Sequence, residues 1–141
     1  VLTLTPEQIA AIEAKLADDF VDRAAARLVE VFPEEMQRVK DAGSGKTAVP
    51  DFVRSAITRA EGLGLDRERD LMVFIVVLIT NSRLQGKELG FYGWARPLFD
   101  RADTPGRMKI AMIAQRLQAM RKRNPLADRI CQSLEAAVEG F

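Results

Sequence analysis

The sequence predicts an all-α protein, a bundle of five to seven helices around one hydrophobic central helix, and three observations carry that expectation. The longest apolar run, residues 71–79, is about half of the roughly 20 residues that a membrane-crossing helix requires, and Arg67, Arg69, Asp70 and Arg83 bracket it closely. Its β-branched content would also suit a buried strand, yet no second strand-like run exists to pair with it. The flanking segments place apolar residues three and four apart, punctuated by helix caps, prolines and glycines.

The first helix starts at Thr5-Pro6-Glu7-Gln8, where Thr5 caps, Pro6 fits the first turn without losing a hydrogen bond, and Gln8 completes a capping-box spacing. Ile9, Ile12, Leu16, Phe20, Ala24, Leu28 and Val31 then form one long apolar stripe, with Asp18, Asp19, Asp22, Arg23 and Arg27 mostly outside it. A short second helix follows over residues 33–41. Residues 42–45, Ala-Gly-Ser-Gly, read as the clearest loop, and Pro50 opens a helix that turns Phe52, Val53, Ala56, Ile57 and Ala60 toward a core.

Gly62 and Gly64 provide a left-handed ending for that helix. Asp66 is placed to cap the next, with Glu68 and Asp70 suited to its positive N-terminal end. The central helix runs from Arg67 to about Leu84, surrounded by other helices. Residues 85–93 carry three glycines around Phe91 and Tyr92, a turn-rich connection anchored by aromatics and leading to Trp94. A short helix is expected over residues 95–101. Thr104-Pro105 repeats the cap-then-proline signal for a helix bearing Met108, Met112, Ile113, Leu117 and Met120, its methionines read as core. Asn124-Pro125 breaks it, and a last helix from Leu126 to about Glu139 sets Ile130, Leu134 and Val138 on one face.

With 141 residues, 48% apolar and 29% charged, the chain fits one helical domain, residues 1–141, without internal repeats or linkers. A net charge of +1 points to no dedicated acidic partner. Cys131 is the only cysteine, so no intramolecular disulfide forms, and a reducing cytoplasm is the expected location. The amino terminus lacks the basic, apolar and small-residue sequence of a signal peptide.

Catalytic options are few because the chain has no histidine. The carboxylates of Asp18, Asp19 and Asp22, or of Glu34 and Glu35, sit on diverging helix faces, and Cys131 has no imidazole to activate it. Residues 43–47, GSGKT, lack both the first glycine and the preceding strand of a nucleotide-binding loop, which makes Lys46 a solvated loop residue. Arg121-Lys122-Arg123 is a short basic cluster of the kind that opposes a helix dipole, and it makes a weak footprint for nucleic acid. The expectation is therefore a non-enzymatic protein with no cofactor and no metal. Phe91, Tyr92 and Trp94, large rigid groups on a connecting loop, are its candidate protein-binding residues.

The order Phe20-Val21-Asp22-Arg23, Val31-Phe32-Pro33, ITRAEGLGL over residues 57–65, Glu68-Arg69-Asp70, the apolar helix and Trp94-Ala95 resembles small helical proteins encoded beside type VI secretion effectors in Gram-negative bacteria. The likeness extends over roughly residues 1–117 as a spaced pattern. It implies a cytoplasmic accessory that binds an effector, toxin or spike component, as adaptor or chaperone. An immunity role toward a neighbouring toxin is the alternative, and a small helical nucleic-acid binder a further one; a strongly charged face would favour immunity, and this sequence has none.

Overall fold

A computed structural model describes residues 3–43, 45–85, 101 and 103–141. Among these residues the protein is all-α, with six α-helices, one turn of 3-10 helix and no strand. The helices are α1 (Pro6–Val31), α2 (Pro33–Ala42), α3 (Ala48–Gly62), α4 (Glu68–Gln85), α5 (Gly106–Arg121) and α6 (Pro125–Val138). The chain divides into two compact units, Val1–Arg54 and Ser55–Phe141.

In the first unit α1 begins with the expected capping box. The Gln8 amide donates to Thr5 Oγ1 at 3.1 Å, and the Thr5 amide donates to Gln8 Oε1 at 2.9 Å, so two otherwise orphaned donors are satisfied reciprocally. The chain turns at Phe32, whose amide closes the last turn of α1 onto Leu28 O, and Pro33 starts α2 at a position where its missing N–H is harmless. Phe20, Val21, Ala24 and Leu28 of α1 are buried, as are Phe32, Met36 of α2 and Val49 and Val53 of α3, and α1 packs on α2. Arg54 Nη2 donates to Asp18 Oδ1 at 3.2 Å, tying α3 to α1 at the point where the buried part of α1 begins. The glycine loop is shorter than expected: α2 continues through Ala42, and Gly45–Thr47 form the 3-10 turn that leads into α3.

The second unit is organised by α4. Every residue from 71 to 80 is buried, so the apolar run occupies the inside of the unit on all its sides, as a helix packed against both α5 and α6. Thr80, its buried polar member, donates its hydroxyl to Val76 O at 2.8 Å and so needs no other partner. Ile110, Ile113 and Leu117 of α5 and Ile130, Cys131, Leu134 and Val138 of α6 complete the core.

The α3–α4 connection is a Schellman ending. The Leu65 amide donates to Ala60 O at 3.0 Å and the Gly64 amide to Glu61 O at 2.9 Å, with Gly64 at φ +80°. Gly64 thus takes the left-handed position, whereas Gly62 is the last residue of α3 and is helical. The Leu71 amide donates to Arg67 O, so Arg67 occupies the cap position of α4 that the sequence assigned to Asp66.

Two further starts differ from the sequence reading. At α5 the cap residue is Pro105, because the Thr104 hydroxyl donates to Asp103 Oδ1 instead of accepting from the helix. At α6 the cap-then-proline pattern does operate: Asn124 O accepts from the Asp128 amide, Asn124 Oδ1 accepts from the Ala127 amide at 3.4 Å, and Pro125 is the first helical residue.

Candidate functional site

Phe91, Tyr92 and Trp94, the expected protein-binding residues, lie outside the described residues, as does most of the helix expected over residues 95–101. The other residues singled out by chemistry are spread over separate elements. Lys46 is exposed in the 3-10 turn. Asp18 pairs with Arg54, and Asp51 lies 3.7 Å from the same guanidinium. Among the described residues no three carboxylate or thiol side chains converge as metal ligands would, and no helix is long and apolar enough to cross a membrane.

Cys131 is buried in α6 as a free thiol. Burial pushes the thiol above its ordinary range, against the opposing effect of the Arg121 charge, so the thiolate that would react is suppressed at neutral pH. Asp70, in the first turn of α4, has one carboxylate oxygen shielded from solvent without a hydrogen-bond partner; its position at the positive end of the helix offsets part of that penalty.

The basic cluster is partly consumed. Arg121 donates through Nε to Asp128 Oδ1 at 2.6 Å and through Nη1 to Glu135 Oε1 at 2.7 Å, clamping the end of α5 to α6. Those two hydrogen bonds hold the guanidinium above its ordinary pKa. Lys122 and Arg123 remain exposed in the turn that follows.

The feature with the greatest capacity for recognition is the first half of α1. The sequence reads its apolar stripe as continuous, but residues 3–19 are all exposed and burial begins only at Phe20. Leu4, Ile9, Ile12 and Leu16 are 48%, 43%, 47% and 62% exposed. The cause is length and drift. A helix of 26 residues is about 39 Å long and α2, with 10, only about 15 Å, so its partner cannot reach the first turns. Apolar residues spaced by four also walk around the helix, which turns Phe20, Ala24 and Leu28 inward on a different side from Ile12 and Leu16.

A second departure lies on α5. Ile113 and Leu117 are buried as expected, but Met108 is 57% exposed and Met112 and Met120 are half-buried. The helix packs on the side carrying Ile110, Ile113 and Leu117, which leaves Met108, Met112, Gln115 and Ala119, spaced by four, three and four, on the outer face. Lys109 lies at the edge of the packed side and is buried, its long aliphatic stem allowing this. Comparisons of the chain with protein-family models, with curated proteins and with solved structures find no match.

Proposed function

We propose that this protein is a non-enzymatic protein-binding accessory, acting as an adaptor or chaperone for an effector, toxin or spike component of a type VI secretion system. The observation that carries the binding role is the solvent-exposed row Ile9, Ile12 and Leu16 on α1, with Leu4 exposed just ahead of it. Covering such a row stabilises a complex by about 1.5–3 kcal/mol for each side chain fully buried, before the losses of association. Spacings of three and four residues suit a helix laid into a partner's groove or against its helix. The type VI setting rests on the sequence resemblance. The adaptor role is preferred over nucleic-acid binding because Arg121, the first of the three clustered cations, is held by Asp128 and Glu135.

Co-expression with the protein encoded next to this gene tests the reading. Capture of that neighbour by the natural chain, lost in Ile12→Glu and Leu16→Glu variants that keep the natural melting temperature, is the expected result. Capture indifferent to both substitutions would remove α1 from the interaction. Tyr92→Ala and Trp94→Ala, assayed alongside, test the contribution expected of the aromatic segment.

A further inference from the structure

We draw no further inference here: the strongest candidate, the exposed apolar face on the first half of α1 formed by Ile9, Ile12 and Leu16, carries none because nothing in the structure shows what covers it and the charges beside it, Glu13 and Asp19 against Lys15 and Arg23, favour no one partner.

Discussion

Arg121 and Asp128 meet at 2.6 Å across the turn between α5 and α6, and the same guanidinium reaches Glu135 at 2.7 Å. One side chain therefore fastens the last turn of one helix to two points on the next that lie about two turns apart. The contact is only partly buried, with Arg121 30%, Asp128 38% and Glu135 56% exposed, and ion pairs open to solvent to that degree contribute modestly to stability. Arg121→Met should lower the melting temperature by a few degrees at low salt, and high salt should narrow the gap between the two proteins. A difference that persists undiminished in high salt would show that packing of the arginine stem, rather than charge, matters there.

The two ends of the apolar patterning should respond in opposite ways to truncation. Leu78, inside α4, is 6% exposed, and Leu78→Ala should cost about 2–5 kcal/mol in urea unfolding. Leu16, 62% exposed, should lose less than about 1 kcal/mol on the same change, measured with the monomer. Equal losses at the two sites would contradict the exposure of α1.

Three glycines in the second unit make a graded series. Gly64→Ala forces a side chain into the left-handed region at φ +80° although space is open around it, and should cost about 1–2 kcal/mol. Gly106→Ala meets Gly64 O at 2.7 Å and Leu65 Cδ2 at 2.9 Å, so α5 must move away from the α3–α4 turn, at about 1–3 kcal/mol. Gly62→Ala is helical and unobstructed and should stabilise by about 0.4–1 kcal/mol. Denaturant midpoints of the three variants check the order.

Cys131 gives a pH dependence with a definite sign. Burial raises its folded pKa above the unfolded value of about 8.5, so the folded state holds the proton more tightly. The resulting stability is fully present below that unfolded value and is lost as pH rises through the folded one. Cys131→Ser should flatten the alkaline fall in stability. Thiol labelling of the natural chain at neutral pH should be slow until denaturant is added.

Lys46 lies exposed on the 3-10 turn, and Lys46→Ala should leave stability within about 0.5 kcal/mol. Calorimetry with ATP and magnesium should show no binding heat; micromolar affinity lost in the variant would restore a nucleotide role to the GSGKT segment.

Much of the fold was legible because its signals are local. The Thr5–Gln8 capping box, the glycine ending of α3 and the uninterrupted apolar run of α4 each follow from a few neighbouring residues. What was not legible depends on how far another element reaches. The row Ile9, Ile12 and Leu16 has the spacing of a core-facing stripe, and the shortness of α2 together with the drift of that stripe around α1 leaves it in solvent. The side of α5 that packs could not be chosen from spacing alone, since Met108 and Met112 compete with Ile113 and Leu117 as an apolar edge. The Arg121 clamp spans 14 residues to Glu135, beyond any window that periodicity reads. The aromatic trio Phe91, Tyr92 and Trp94 falls outside the described residues.

The Asp18–Arg54 contact divides α1 into a supported and an unsupported length. Fourteen residues precede Phe20 within the helix, close to the length at which an isolated helix is marginal in water. Amide protons before Asp18 should therefore exchange with solvent through fraying, orders of magnitude faster than those around Leu28, which open only with the core. Any partner that settles on this half-helix must arrest that fraying, and its affinity will weaken on warming faster than contact area alone would dictate. Protection of these amides, read before and after complex formation, would then report occupancy of the surface without a label.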